Sequence, residues 1–141
     1  MTITLAIILF TLFLFLSGIH FYWVLGGKWG IGAVFPTQPN DTNPKVPGAV
    51  PTIIVGIALF TISLFYLIRV KIYPLELPEF LNTYGLKLIT GLFVLRAIGE
   101  FNYIGFFKKH KETRFGINDT KYYSPLCLLI ALLTFILNLN L

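Results

Sequence analysis

Four long apolar segments, separated by polar connections, dominate the sequence. They cover residues 3–25, 49–70, 84–107 and 122–140, the last with Tyr122 and Tyr123 at its interfacial end. Each approaches the ~20 residues that an α-helix needs to cross the ~30 Å hydrocarbon core of a bilayer. None shows the strict alternation of a barrel strand, so helices are the expected spanning form. The pattern predicts one all-α domain over residues 1–141, an integral membrane four-helix bundle.

The composition supports this prediction and excludes other classes. Hydrophobic residues make up 56% and charged residues 12% of the chain, whereas soluble domains average roughly 45–50% and about 25%. The formal net charge of +5 would suggest nucleic acid in a soluble protein. Here the cations do not alternate with aromatics as in a single-strand binder, so membrane lipids are the expected partners and nucleic acid is not.

The connections predict the orientation in the membrane. The first and third carry seven basic residues, namely Lys28, Lys45, Lys108, Lys109, Lys111, Arg114 and Lys121. The second and its flanks carry three, namely Arg69, Lys71 and Lys87. The positive-inside rule then places the first and third connections in the cytoplasm and both termini outside. Segment 3–25 lacks a basic start and a small-x-small cleavage site, so we expect an uncleaved first span.

The connections also differ in the local structure that they predict. The first, residues 26–48, excludes a long helix because it holds four prolines, Pro36, Pro39, Pro44 and Pro47. The second mixes Pro74 and Pro78 with apolar residues, which predicts a short interfacial segment.

Arg96 and Glu100 are the most informative polar residues. Four residues apart in the third apolar segment, they are expected to share one helix face, with Tyr103 at the next turn. An isolated ion in hydrocarbon is so costly that this face must point into the bundle or a wet cavity. Arg96 could then bind a polar or anionic group, with Glu100 as proton acceptor. The alternative is an internal ion pair that fixes helix packing.

His20 is the second candidate. Its distance from the first basic connection places it on the same side of the bilayer as Arg96 and Glu100. A histidine that meets Glu100 can titrate near neutral pH and act as an acid or a base. Trp23, one turn on, is expected to line the same space. The alternative is a histidine that hydrogen-bonds a neighbouring helix or the interface.

The third connection contains residues that can form specific contacts, unlike a simple solvated linker. Asp119 could pair with Arg114 or receive backbone N–H groups at the start of the fourth helix. Ser124 and Pro125 suggest an N-cap and first residue for that helix, and Asp119 or Thr120 could instead cap an earlier turn. This connection could also form a lid over the polar face together with the first. The alternative is an ordinary basic loop that contacts lipid phosphates.

Other features indicate packing or exclude chemistry. Thr52, Gly56, Ser63 and Tyr66 form one stripe of the second segment and suggest close helix contact. The single cysteine, Cys127, is expected to be a small packed hydrophobe. The sequence has no phosphate-binding loop, dinucleotide fingerprint or His-Glu-x-x-His motif. We expect no metal, since His20 and Glu100 alone would be too few ligands, and no cofactor.

Three stretches of the chain resemble a known family. They are residues 20–30 (HFYWVLGGKWG), 96–108 (RAIGEFNYIGFFK) and 113–126 (TRFGINDTKYYSPL), together with Pro47 and Pro51. They resemble a family of small bacterial four-span membrane proteins known only as a domain of unknown function. The resemblance implies four helices in a bacterial inner membrane and no particular activity. It also implies that His20, Arg96, Glu100 and Asp119 occupy the family's polar positions.

Three functional hypotheses follow. In the first, a binding protein or small enzyme has a polar pocket near the cytoplasmic leaflet for a lipid-like molecule. There Arg96 holds the head, Glu100 and His20 share a proton, and Trp23, Tyr103 and Asp119 line the site. In the second, the chain is a non-enzymatic accessory subunit of a membrane complex. In the third, it is a small transporter or channel that encloses a path as a homo-oligomer.

Overall fold

The regular structure of the chain is helical. The computed structural model describes residues 1–35 and 47–141, and these ranges contain helices and no strand. The helices are α1 (Thr2–Val24), α2 (Ile31–Val34), α3 (Ala49–Arg69), α4 (Glu79–Ile98), α5 (Arg114–Asn118) and α6 (Ser124–Leu139), with a π-helical turn at Asp119–Tyr123. The predicted all-α class is confirmed. Pro36, Pro39, Pro44 and Lys45 of the first connection lie outside the described residues.

Three helices are long and apolar enough to span a membrane. They are α1, α3 and the continuous 26-residue helix Arg114–Leu139, which joins α5, the π turn and α6. In the most apolar windows of α1 and α3 only 22% of the residues are buried. Long helices with such exposed apolar faces are stable beside lipid and not in water, which indicates a membrane protein.

Helix α4 differs from the predicted third segment at both ends. It begins beside Pro78, whose carbonyl accepts hydrogen bonds from the backbone N–H groups of Leu81 and Asn82. It ends at Ile98 because Gly99 has a φ of +88°, a left-handed conformation that stops the helix. Residues 99–107, expected to continue the helix, therefore form a loop. The 20 residues of α4 include Glu79, Lys87 and Arg96, and α4 is not among the three apolar helices above.

The C-terminal helix has its N-cap eleven residues before the predicted cap, Ser124. Its N-cap is Thr113, whose side chain accepts a hydrogen bond from the Gly116 backbone N–H at 2.9 Å. Ser124 has helical backbone angles and lies inside the helix. Pro125 has no N–H to donate to the carbonyl four residues back, and the π turn directly before it accommodates this defect.

The chain forms two compact units. The first, here called the helix unit, comprises Met1–Gly27, Pro47–Leu88 and Leu133–Leu141. The second, here called the loop unit, comprises Lys28–Val46 and Ile89–Leu132.

The helix unit is held together by small and aromatic side chains. The buried stripe of α1 is Ala6, Leu9, Phe13 and Ser17, and that of α3 is Thr52, Gly56, Ser63 and Tyr66. The predicted packing stripe of α3 is therefore confirmed. Ser17 Oγ donates to the Gly56 carbonyl at 2.8 Å, and the Tyr66 hydroxyl hydrogen-bonds Thr134 Oγ1 at 2.8 Å. Small side chains allow the close backbone approach that stabilises helix pairs in lipid.

Candidate functional site

Asp119 is the centre of a buried polar cluster in the loop unit. The cluster consists of Arg96 from α4, Gly105 and Lys108 from the following loop, and Asp119, Thr120 and Ser124 from the C-terminal helix. Asp119 is completely buried, and the side chain of Lys108 is too. We call this set the Asp119 cluster.

The Asp119 carboxylate accepts four hydrogen bonds within the cluster. Oδ1 accepts from Arg96 Nη2 at 2.9 Å. Oδ2 accepts from the Gly105 backbone N–H at 2.7 Å, Lys108 Nζ at 3.0 Å and Ser124 Oγ at 3.2 Å. Since Asp119 is completely buried behind these donors, its carboxylate is not accessible to a ligand from outside. The geometry makes it a positioning residue that holds Arg96 and Lys108.

The ammonium group of Lys108 has an acceptor for every proton. Its ammonium group donates to Asp119 Oδ2, to the Gly105 carbonyl at 2.8 Å and to Thr120 Oγ1 at 2.6 Å. An ammonium group has three protons, and each has an acceptor here. This saturation explains how a lysine remains buried, since an unpaired ammonium would cost several kcal/mol.

The local backbone explains how these residues meet. In the π turn the Ser124 backbone N–H donates to the Asp119 carbonyl five residues back, which brings their side chains together. On the loop side, Gly99 and Gly105 are in van der Waals contact, and a Cβ on Gly99 would overlap the Ile104 carbonyl. This close approach of the two backbones places the Gly105 N–H within hydrogen-bonding distance of Asp119. Residues 99–105 therefore fold back on the end of α4.

Arg96 is the member of the Asp119 cluster that is partly exposed and has an unused hydrogen-bond donor. Its side chain is 31% exposed. Its Nη1 atom is buried and has no hydrogen-bond partner within residues 1–35 and 47–141. A buried donor without an acceptor costs about 1–3 kcal/mol. The cluster also holds two cations against one carboxylate. It therefore has a net charge of +1 and an unused donor on the same guanidinium.

Glu100 does not have the predicted position beside Arg96. Because α4 ends at Ile98, the two residues do not share a helix face, and the expected Arg96–Glu100 ion pair is replaced by Arg96–Asp119. Glu100 is exposed, and its Oε1 accepts the Tyr103 backbone N–H at 3.1 Å, which closes a turn. The Tyr103 ring stacks on His110, with 5.0 Å between ring centroids.

His20 and Trp23 are neighbours within the helix unit, as predicted. Their rings meet edge to face at a centroid distance of 5.2 Å. His20 Nδ1 lies 2.7 Å from the Leu16 carbonyl, which makes Nδ1 the protonated nitrogen, since a carbonyl only accepts. His20 belongs to the helix unit and Glu100 to the loop unit, and proton exchange between them stays a prediction.

The first connection contacts the C-terminal helix inside the loop unit, while the lid over a polar face that the sequence suggested stays a prediction. The Ala33 carbonyl of α2 accepts from the Tyr123 hydroxyl at 3.1 Å and from Asn118 Nδ2 at 3.4 Å. The Asp119–Arg114 pair that the sequence suggested is not formed, because Arg114 is exposed while Asp119 pairs with Arg96 and Lys108.

Sequence reasoning missed Lys108, Gly105, Thr120 and the Ser124 side chain. Lys108 was counted among the solvated cations of the third connection. The available signal was the spacing of Gly99 and Gly105, which can mark a close backbone approach.

An apolar groove of about 510 Å³ runs along α1. It is lined by Ile7, Ile8, Thr11, Leu12 and Phe15 and contains no ionisable side chain. It is open along its length, fits lipid contact, and does not correspond to the predicted polar pocket.

Comparison with known proteins identifies a family. A family model described as "Protein of unknown function (DUF3995)" matches residues 13–134. The match includes every candidate residue discussed above and confirms the resemblance to a family of unknown function. No curated protein and no solved structure gives a significant match.

Proposed function

Because the chain belongs to the DUF3995 family of proteins of unknown function, we propose its role from the chemistry of the Asp119 cluster. The protein is an integral membrane protein that binds the anionic head of a lipid or small amphiphile at Arg96. The observation that carries this proposal is the unpaired Nη1 of Arg96 in a cluster of net positive charge.

Charge balance favours an anion over a neutral ligand. Asp119 neutralises one of the two cations, and its four accepted hydrogen bonds fix it to the cluster. A phosphate or carboxylate oxygen would supply the missing acceptor for Arg96 Nη1 and the missing negative charge. Guanidinium is well suited to this role, because its planar fork donates to two acceptors at once.

The length of the C-terminal helix supports a site at the level of lipid headgroups. Its 26 residues extend about 39 Å at ~1.5 Å per residue, which exceeds a ~30 Å hydrocarbon core by about 9 Å. Asp119 lies in the second turn of this helix, and Arg96 lies in the last turn of α4. Both therefore fall near one end of a span, where an amphiphile has its polar head.

We further propose four spans, with the first and third connections in the cytoplasm. The contact of Ala33 with Asn118 and Tyr123 supports a common side for these connections. If α3 crosses the membrane, the chain must cross again before residue 114. The 20 residues of α4, about 30 Å long, suffice for that crossing. Cytoplasmic placement follows the positive-inside rule.

Arg96→Gln tests the proposed site. We would extract this variant gently and identify co-purifying small molecules by native mass spectrometry and lipidomics. We expect the wild type to retain a reproducible anionic amphiphile and the variant to lose it while remaining folded, since Lys108 still pairs with Asp119.

Arg69→Gln is the matched control. Arg69 also ends a helix, donates to Asn82 Oδ1 at 3.0 Å and has a buried, unpaired Nε, but belongs to the helix unit. We expect it to retain the ligand. The same small molecules on wild type and a folded Arg96→Gln protein would refute the proposal.

Lys111→Cys tests the orientation in intact cells. Lys111 is exposed in the third connection, so a membrane-impermeant thiol reagent should label it only after the cells are opened. Labelling from outside would reverse the proposed topology.

An accessory subunit of a membrane complex is the second candidate. The complete burial of Asp119 favours it, because a carboxylate enclosed by its own chain can act to fix the loop for a partner. A stable complex with another protein and no bound amphiphile, in the same extraction, would select this function.

A further inference from the structure

The loop that follows α4 presents an unusual outer surface. This loop, residues 99–113, is here called the basic loop. Its two arms pair through the backbone: Lys109 N donates to the Phe101 carbonyl at 3.1 Å, and His110 N donates to the Asn102 carbonyl at 3.0 Å. Its inner side is fixed to Asp119 through Gly105 and Lys108. The loop is therefore an ordered platform.

Two aromatic side chains project from this platform. Phe101 is 63% exposed and Phe107 is 65% exposed. Phe101 also has a φ of +65°, a left-handed backbone that bulky residues rarely adopt. A strained residue that places its apolar ring outside the protein points to a function of the exposed ring.

The basic loop and the adjoining helix also carry exposed cations. Lys109 and Lys111 are exposed in the loop, and Arg114 and Lys121 are exposed on the adjoining C-terminal helix. The exposed acids of the same region are Glu100 and Glu112, and Glu100 is engaged by the Tyr103 N–H. Lys121 Nζ also lies 5.2 Å from the centre of the exposed Tyr122 ring. Exposed rings next to excess positive charge are typical of surfaces that bind anionic membranes.

We infer that the basic loop docks into the headgroup layer of an anionic leaflet. Phe101 and Phe107 enter the boundary between headgroups and acyl chains, and Lys109 and Lys111 contact lipid phosphates. The outer surface of the loop thus selects the anionic lipids around the protein. This surface is independent of a ligand at Arg96, because none of its four residues belongs to the Asp119 cluster.

Fluorescence labelling tests the insertion. We would attach the environment-sensitive dye NBD to Phe107→Cys in a Cys127→Ala background and reconstitute the protein in vesicles. The vesicles contain phosphatidylcholine alone or phosphatidylcholine mixed with phosphatidylglycerol. We expect a blue-shifted emission and protection from iodide, both stronger with phosphatidylglycerol. Glu112→Cys, an exposed polar position of the same loop, is the control and should remain quenchable.

Charge variants test the lipid preference. The double variant Lys109→Gln, Lys111→Gln should lose most of the phosphatidylglycerol-dependent protection, since each basic residue near an anionic surface strengthens binding roughly fivefold. Lys71→Gln removes an exposed cation of the second connection and should leave the protection unchanged. Arg96→Gln should also leave it unchanged, which separates this inference from the proposed ligand site.

Two results would overturn the inference. One is equal iodide quenching at positions 107 and 112 in both kinds of vesicle. The other is a position 107 that is protected from iodide in native membranes but not in purified vesicles with phosphatidylglycerol. That result would mean that a protein partner, and not the lipid, covers the loop.

Discussion

The helix unit and the loop unit of this protein use opposite means of holding their parts together. In the helix unit, small residues let α1 and α3 approach, and the cross-helix hydrogen bonds of Ser17 with Gly56 and of Tyr66 with Thr134 are single neutral contacts. In the loop unit, one buried carboxylate gathers two cations, a backbone N–H and a hydroxyl. The contrast teaches that stability is distributed over many weak contacts in one unit and concentrated in one residue in the other.

Replacement of Asp119 should have the largest effect. Asp119→Asn keeps the shape of the side chain but leaves Arg96 and Lys108 without a counter-charge. Breaking a buried pair from one side typically costs about 3–5 kcal/mol of the free energy of unfolding. SDS titration of the purified protein in mixed micelles would measure the loss. Glu100→Gln, an exposed acid of the same unit, should change stability by less than about 0.5 kcal/mol. A loss for Asp119→Asn as small as that for Glu100→Gln would show that stability does not depend on Asp119.

Gly99→Ala should have the next largest effect. The added Cβ would overlap the Ile104 carbonyl, and the φ of +88° is unfavourable for alanine. We expect a loss of about 1–3 kcal/mol and a weaker Gly105–Asp119 contact. In contrast, the Cβ of Gly91→Ala, inside α4, would meet nothing within 4 Å, so it should be neutral or stabilising by up to about 1 kcal/mol. The same titration compares the two, and a tolerated Gly99→Ala would contradict the described loop.

The Tyr66–Thr134 pair should have a smaller effect in the helix unit. Tyr66→Phe and Thr134→Val each remove the 2.8 Å hydrogen bond while preserving side-chain volume. A double-mutant cycle should give a coupling of about 0.6 kcal/mol, the average for hydrogen bonds between membrane helices. A coupling as large as the Asp119 effect would remove the contrast between the two units.

Ser17→Ala should have the smallest effect. The Gly56 carbonyl that loses its contact lies inside α3, and we expect a cost at the lower end of ~0.5–1.5 kcal/mol. Thr11→Ala removes a hydroxyl that donates to the Ile7 carbonyl of its own helix and serves as the control for a bond within one helix. A loss for Thr11→Ala equal to that for Ser17→Ala would show that the cross-helix bond adds nothing.

The sequence by itself determined the long apolar helices α1 and α3 and the packing stripe of α3. Apolar runs of spanning length and one stripe of small residues are local patterns, and Thr52, Gly56, Ser63 and Tyr66 are buried as that stripe predicts. It also identified Arg96 and Asp119 as candidates, because ionisable residues beside apolar runs are costly unless paired.

Only the tertiary structure decided the partners of those charges. The positive φ at Gly99 ends α4 before Glu100, and the π turn before Pro125 brings Ser124 to Asp119. Lys108 becomes buried because its three acceptors come from the loop and from the C-terminal helix. Helical periodicity describes residues three or four apart in one helix, whereas this cluster depends on where a helix stops and how the following loop folds back.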